Sequence, residues 1–191
     1  FTQPRAVPVL QLHRPVIRVY SDASFEPGSN KPARIGFVVL PQTRIPIGMT
    51  ADMPDNVNAA FDVRDQQITP VEAYCAIAVP LNVPEMIGGS DLIWYIDNQA
   101  ACACLIKGSS SVSDIGTIVT IAHLLYVKLH IRVYFEWVDT NANISDGLSR
   151  DGLVDCWTMN QRWQLSTAKL PDFMEIATLC LPDIFHTLFD R

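Results

Sequence analysis

Apolar residues in the first third of the chain fall into short runs that predict strands. The runs at 16–20, 35–40 and 44–50 are rich in β-branched and other apolar residues, which favour a pleated, half-buried backbone. Turn-forming segments connect them, and short connections favour antiparallel neighbours. This part of the chain therefore predicts a three-stranded antiparallel meander, whose first strand ends two residues before Asp22.

Two later runs predict further strands. Residues 92–96 are continuously apolar after Asp91, which is typical of a strand buried on both faces. Residues 131–138 alternate between apolar and polar side chains, which is typical of a strand with one wetter face.

Helical signals separate these strands. Thr69 is a favourable N-cap, Pro70 suits the first helical position and Glu72 follows three residues after the cap. A helix is therefore predicted from Thr69 to about Val79, where Pro80 ends or kinks it. Three further segments have helical spacing or caps, at 98–107, 113–129 and 143–150.

The predicted order of elements is β-β-β-α-β-α-α-β-α. A crossover from one strand through a helix to a later strand favours parallel pairing. We therefore predict an α/β fold with a five-stranded mixed sheet, in which two parallel strands join the antiparallel meander.

The length of 191 residues suits one domain with extensions. Three prolines make residues 1–15 an extended lead-in or linker, and residues 16–150 contain all the predicted strands. Residues 151–191 are interrupted by prolines and predict a helical extension that docks on this domain or on a partner. The first residues include neither a starting Met nor a leader, which predicts a piece of a longer polypeptide.

Composition narrows the classes of function. The apolar fraction of 49% supports a single core, and the chain has no run of about 20 apolar residues that would predict a membrane span. The five cysteines form no CxxC pair, which predicts reduced thiols in a cytoplasmic or nuclear protein and disfavours zinc. The net charge is −6 and the 14 basic residues are scattered, so the domain alone is predicted to bind nucleic acid weakly.

Four acidic residues stand at junctions between predicted elements: Asp22, Glu72, Asp97 and Asp146. If the first and fourth strands are parallel neighbours, Asp22 and Asp97 lie about 4.8 Å apart at the strand ends where ligands bind in α/β sheets. Glu72 and Asp146 could converge on the same point. Carboxylates crowded in this way need compensation, which Mg²⁺ or Mn²⁺ supplies. Each acid also has a simpler reading, as a cap of a turn or helix or as a partner of a helix dipole.

Four segments match, in order, the motifs of a known family: VYSDAS, TPVEAYCAI, WYIDNQAA and NISDGLSR. Over residues 16–150 the chain resembles the ribonuclease H (RNase H) family, and most of all the RNase H domains attached to retroelement reverse transcriptases. The resemblance implies an RNase H-like fold with helices on both faces of the sheet. It also implies a catalytic and metal-binding set formed by Asp22, Glu72, Asp97 and Asp146.

In this family pattern two Mg²⁺ ions, replaceable by Mn²⁺, would occupy the site. Asp22 and Asp97 would bridge and hold the metals, Glu72 would hold the ion on the leaving side, and Asp146 would hold the ion of the attacking water. The implied function is a metal-dependent endonuclease that cuts the RNA strand of RNA–DNA hybrids within a reverse-transcriptase polyprotein. The rest of that polypeptide, or another protein, would then contact residues 151–191.

Three polar residues are candidate contacts to the sugar or phosphate of the substrate: Ser24, Asn98 and Gln99. Ordinary turn-forming roles explain the same residues equally well.

Two departures from the family pattern favour an alternative function. The loop from Asp139 to Ser145 lacks the histidine that many relatives carry there, and the chain has no basic protrusion. The alternative is a catalytically weak or inactive RNase H-like module that serves a structural or interaction role in a larger assembly. A 3′–5′ exonuclease or integrase is a third reading, and it is less favoured because the acids of those proteins come in a different order.

Overall fold

The computed structural model describes residues 14–26, 32–64, 67–176 and 178. Most of the predicted lead-in lies outside the described residues, as does the tip of the connection after the first strand. The end of the C-terminal extension also lies outside them.

Within the described residues, six strands form one mixed sheet: β1 (Val16–Ser24), β2 (Arg34–Leu40), β3 (Ile47–Asp52), β4 (Asp91–Ile96), β5 (Arg132–Trp137) and β6 (Gln164–Thr167). Their order across the sheet is β5-β4-β1-β2-β3-β6. The first three strands form an antiparallel meander, and β4 pairs in parallel with both β1 and β5. These pairings confirm the predicted meander and the predicted parallel pairing of the first and fourth strands.

The α-helices assigned in the described residues are α1 (Asp55–Asn58), α2 (Ile68–Asn82), α3 (Pro84–Ile87), α4 (Gln99–Lys107), α5 (Ser113–Lys128), α6 (Asp146–Arg150) and α7 (Cys156–Met159). Single 3₁₀ turns lie at Thr140–Ala142 and Gly152–Val154. None of the helices in this part of the chain is long and apolar enough to cross a bilayer.

The main core lies between one face of the sheet and helices α2, α4 and α5. Trp94 on β4 is fully buried there, and its ring centroid lies 6.4 Å from that of Tyr126 and 5.7 Å from that of Phe135. Its indole N–H donates to the hydroxyl of Ser21, so the one polar atom of this large ring is satisfied.

The short helix α6 covers the other face of β1, β2 and β3 at very close range. A Cβ at Gly36 would lie 2.5 Å from the backbone nitrogen of Ser149, so only glycine permits this approach. Leu148 is fully buried over Gly48, and the hydroxyl of Thr50 donates to the Leu148 carbonyl at 2.7 Å. Helices therefore lie on both faces, as predicted.

Two predicted boundaries are wrong. β1 continues to Ser24, because backbone pairing with β2 does not require apolar side chains, and Asp22 consequently lies inside the strand. α2 continues through Pro80 to Asn82. Pro80 lacks the N–H that would bond to the Ala76 carbonyl, and the hydroxyl of Tyr126 donates to that carbonyl instead, at 3.2 Å.

The C-terminal extension contributes the sixth strand, so the predictions of five strands and of a wholly helical extension are wrong. β6 pairs in parallel with β3. It has only four residues with one apolar side chain, Leu165, and therefore no sequence period that predicts a strand. Further along, the Phe173 ring lies 6.3 Å from Phe61 and 5.9 Å from Tyr74 between centroids, so the extension contacts the main core.

We predict that Leu148→Ala lowers the free energy of unfolding by about 2–5 kcal/mol, because the substitution leaves a cavity between α6 and the sheet. Urea denaturation measures this change. Leu153→Ala, at a leucine that is 37% exposed in the next turn, is the matched control and should cost much less. Equal losses for the two variants would contradict the tight packing of α6.

Candidate active site

Three of the four predicted acids meet at one end of the sheet. Ser21 on β1 pairs with Ile96 on β4, so Asp22 and Asp97 are the next residues along two neighbouring parallel strands. Glu72 reaches the same point from α2. One carboxylate oxygen from each of Asp22, Glu72 and Asp97 lies within 4.8 Å of the other two.

Each buried carboxylate has one oxygen fixed by a hydrogen bond. The hydroxyl of Ser149 donates to Oδ2 of Asp22, and the backbone N–H of Ala23 donates to Oε1 of Glu72 at 3.2 Å. Oε2 of Glu72 is buried and has no hydrogen-bond partner among the described residues. An unpartnered buried carboxylate oxygen is costly, which makes this atom a candidate cation ligand.

Burial and mutual repulsion raise the pKa of these groups. Asp22 is 4% exposed, and its burial raises the pKa to about 7, opposed by the Ser149 hydrogen bond and helped by the charges of Asp97 and Asp146. Burial also raises the pKa of Glu72 well above its ordinary value, and the charges of Asp22 and Asp97 add to this shift. At neutral pH the cluster therefore favours a bound proton or a bound cation.

The fourth acid, Asp146, lies beside this group but is not part of it. It is the first residue of α6, and the Nε–H of Arg150, one helical turn later, donates to its Oδ1 at 2.7 Å. Asp146 is near enough to raise the pKa of Asp22, yet its own carboxylate is engaged by a guanidinium. The site thus has three converging acids and a fourth that is held by an arginine.

Polar side chains of the sheet hold α6 against this site. Ser24 donates to the Ser149 carbonyl at 2.6 Å, and Arg34 donates to the Arg150 carbonyl at 3.3 Å. These bonds satisfy carbonyls that every helix leaves free at its C-terminal end. The side-chain amide of Asn143 donates to the Ser21 carbonyl at 3.0 Å, and its side-chain oxygen accepts from the hydroxyl of Ser145 at 2.7 Å.

Sequence reasoning missed the roles of Ser149 and Arg150. Both residues lie in the motif NISDGLSR, which predicted that this segment belongs to the site but did not predict these two contacts. The contact between Ser149 and Asp22 joins residues that are 127 positions apart, and no local pattern reports such a pairing.

The three predicted substrate contacts lie in different settings. Ser24 and Asn98 both line the cavity above the carboxylates, and Gln99 does not. The side-chain oxygen of Asn98 caps α4 by accepting from Ala101 N–H at 3.0 Å. The hydroxyl of Ser24 donates to the Ser149 carbonyl on α6. A role in substrate binding stays a prediction for all three.

The carboxylates open into a cavity of about 540 Å³. Its polar wall includes the three acids together with two guanidinium groups, Arg34 and Arg150. Oxygen ligands of this kind suit a hard divalent cation such as Mg²⁺ or Mn²⁺, and the unpartnered oxygen of Glu72 provides a free ligand. The residues present therefore fit a metal site that faces an open, partly basic cavity.

Comparison with known proteins supports the fold. No protein-family model matches the chain, and no curated protein matches it significantly. The solved structure of RNase H1 from the halophilic archaeon Halobacterium salinarum is similar, with a TM-score of 0.51 and 16% identity, over 72% of this chain and 97% of that one. The chain therefore has an RNase H-like fold, which confirms the fold implied by the sequence motifs.

Two weaker likenesses have TM-scores below 0.5. LC11-RNase H1, solved in complex with an RNA/DNA hybrid, has a TM-score of 0.42 at 14% identity, over 68% of this chain and 91% of that one. The protease-reverse transcriptase of prototype foamy virus has a TM-score of 0.37 at 14% identity, over 84% of this chain and 22% of that one.

We predict that the metal-free protein loses stability as the pH rises from about 4 to about 7. The pKa of Asp22 is 3.8 in its ordinary state and about 7 when folded, so the folded protein binds more protons across this window. Each pH unit then lowers the free energy of unfolding by up to about 1.4 kcal/mol. Asp22→Asn should remove this part of the dependence of the free energy of unfolding on pH. Urea denaturation in EDTA at several pH values measures it.

Asp151 is exposed and provides the control, because the free energy of unfolding of Asp151→Asn should change with pH as in the wild type. If the stability difference between wild type and Asp22→Asn is constant between pH 4 and 8, the raised pKa of Asp22 is wrong.

Proposed function

We propose that this chain is a metal-dependent endonuclease domain that cuts the RNA strand of RNA–DNA hybrids. The observation that carries the proposal is the convergence of Asp22, Glu72 and Asp97 within 4.8 Å at the carboxyl ends of two parallel strands. Asp22 and Glu72 are buried at an electrostatic cost, which a metal-binding function explains.

Asp22, Glu72 and Asp97 would hold Mg²⁺, and Asp146 would complete the site for a second ion, with Mn²⁺ as a substitute. When bound, such a pair of ions supplies an activated water and stabilises the leaving oxygen of a phosphodiester. The chain itself orients the ligands, since Ser149 fixes one oxygen of Asp22 and Ala23 fixes one oxygen of Glu72.

Arg150 has two roles in this proposal. In the absence of substrate it neutralises Asp146. Its guanidinium also lines the cavity, where it is able to bind a phosphate of the substrate and thereby release Asp146. The described loop from Asp139 to Ser145 offers no imidazole, so solvent would supply the proton to the leaving oxygen.

The substrate would be recognised by the shape of the hybrid and by its 2′-hydroxyls. Asn98 and Ser24 line the cavity, and Gln99 follows Asn98 as the first residue of α4. With a net charge of −6, the domain would gain much of its affinity from a larger reverse-transcriptase polypeptide. That polypeptide, or another protein, would contact residues 151–191.

We propose that the protein works in the cytoplasm or nucleus. The free thiols of Cys75, Cys102, Cys104 and Cys156 support a reducing compartment.

A second candidate function is a structural or interaction module with weak or no activity. The ion pair between Arg150 and Asp146 favours it, because it occupies the fourth acid of the expected catalytic set. The scattered basic residues of the sequence, which predict no basic protrusion, also favour this second function.

We predict that Asp97→Asn lowers cleavage of a labelled RNA–DNA hybrid in Mg²⁺ by more than about a hundredfold, because metal ligation supplies several kcal/mol of transition-state stabilisation. The variant should stay folded, since it removes like charge from the cluster. Asp91→Asn is the matched control at the opposite end of β4, where Asp91 pairs with Arg14 and Arg132. That control should lose a little stability and keep its activity.

The assay separates the two candidate functions. Full cleavage by Asp97→Asn would remove this residue from the mechanism. If the wild type, fused to the rest of its polypeptide, does not cleave the hybrid, the structural module is favoured.

A further inference from the structure

An arginine of the sheet, Arg34, lines the cavity above the carboxylates. It is the first residue of β2 and pairs with Ser24, which is two residues beyond Asp22 on β1. Directly paired residues have their side chains on the same face, so Arg34 faces the side of the sheet on which Asp22 lies. Two residues of a strand span about 7 Å, which sets how far along the sheet Arg34 lies from Asp22. The proposed function gives this guanidinium no part in substrate binding.

Three contacts hold the Arg34 guanidinium in place. Its Nε–H donates to Oδ1 of Asp52 at 2.5 Å, and its Nη1 donates to the Arg150 carbonyl at 3.3 Å. Gly152 has a φ of +69°, and a Cβ at this residue would lie 3.2 Å from Nη1, so the guanidinium lies directly against the Gly152 backbone. A group that is already ordered loses little conformational entropy when a ligand binds. Arg34 is therefore pre-organised as a ligand-binding group.

These contacts do not remove the charge of Arg34 from the cavity. The side chains of Arg34 and Asp52 are 30% and 51% exposed, and exposed ion pairs interact weakly because water and salt screen them. The Arg150 carbonyl carries no charge. A guanidinium stays protonated and has five N–H donors, of which these two hydrogen bonds use two. Its charge is therefore available to an anion that enters the cavity.

A backbone phosphate is the ligand that suits this position. Guanidinium groups bind phosphate oxygens through parallel, charge-assisted hydrogen bonds. The carboxylates repel a phosphate unless a cation covers them, so an anion at Arg34 is expected beside the metal site rather than in it. The step of about 7 Å along the strand from Asp22 is comparable to one nucleotide step of a backbone. A backbone that has one phosphate at the metal site can therefore place the next phosphate at Arg34.

We propose that Arg34 binds the phosphate of the RNA strand that neighbours the scissile phosphate. The contact is made through the backbone, so the bases of the hybrid stay paired and stacked, in agreement with the proposed recognition by shape. The proposal rests on the proposed function for the position of the scissile phosphate. It adds a residue of the antiparallel meander to the substrate-binding surface.

The first test measures how salt weakens binding, because each phosphate contact adds to that dependence. A short, labelled RNA–DNA hybrid is titrated in Ca²⁺ at increasing KCl concentrations and followed by fluorescence anisotropy. Arg34→Gln should weaken binding about tenfold and lower the slope of log Kd against log KCl by about 1. Arg44→Gln, at an exposed arginine between β2 and β3 at the other end of the sheet, should bind like the wild type. Equal slopes for wild type and Arg34→Gln overturn the proposal.

Hybrids with one uncharged methylphosphonate linkage locate the contact. The linkage is moved along the RNA strand and along the DNA strand, and binding is measured for wild type and Arg34→Gln. At one RNA linkage the wild type should lose about tenfold in affinity and Arg34→Gln much less, because the variant no longer contacts that phosphate. Coupling at a DNA linkage alone, or at no linkage, overturns the proposal. If the wild type cleaves the hybrid, the coupled linkage should be next to the cut one, and a more distant position also overturns it.

Arg34→Lys takes the place of Arg34→Gln if the latter does not fold. Lysine retains the charge but lacks the parallel N–H donors of a guanidinium, so the coupled RNA linkage should cost this variant less affinity than it costs the wild type. An equal cost overturns the phosphate contact, and it is the result expected if Arg34 only ties α6 to the sheet. If the wild type does not cleave the hybrid but the coupling holds, the phosphate contact stands and the nuclease does not.

Discussion

Three carboxyl groups within 4.8 Å of one another, two of them buried, are the constraint around which this fold is arranged. Parallel pairing of β1 with β4 brings Asp22 and Asp97 side by side, and α2 crosses the sheet where Glu72 reaches them. Burial and repulsion raise the pKa of Asp22 and Glu72, so the group is stable only with protons or a cation to offset its charge. A bound metal ion would offset the electrostatic cost of this crowding, and it would thereby link stability to the proposed function.

The short helix α6 packs on the sheet and also carries side chains of the acidic cluster and its cavity. Gly36 allows the helix to lie against the sheet, and side chains of the sheet satisfy its last carbonyls. The same helix supplies Ser149 to Asp22, Asp146 to the edge of the cluster and Arg150 to the wall of the cavity above the carboxylates. Helix α7 of the C-terminal extension packs against α6.

The sequence alone predicted the meander, the parallel crossover and the meeting of Asp22 with Asp97, because apolar runs, short connections and the order of strands and helices indicate those features. It did not predict β6, whose four residues carry no period and form a strand only through the edge of β3. It also missed the Ser149 hydrogen bond and the Arg150 ion pair. The former joins positions 127 apart, and the latter competes with the metal role that the motif suggested for Asp146.

Crystals soaked in Mn²⁺ test the central claim most directly, through the anomalous signal of the ion. We predict a Mn²⁺ ion about 2.1 Å from one oxygen of each of Asp22, Glu72 and Asp97, including the Oε2 of Glu72 that is unpartnered among the described residues. The ion should be absent from crystals of Glu72→Gln soaked in the same way. A wild-type crystal with no anomalous peak at these three side chains would contradict the account.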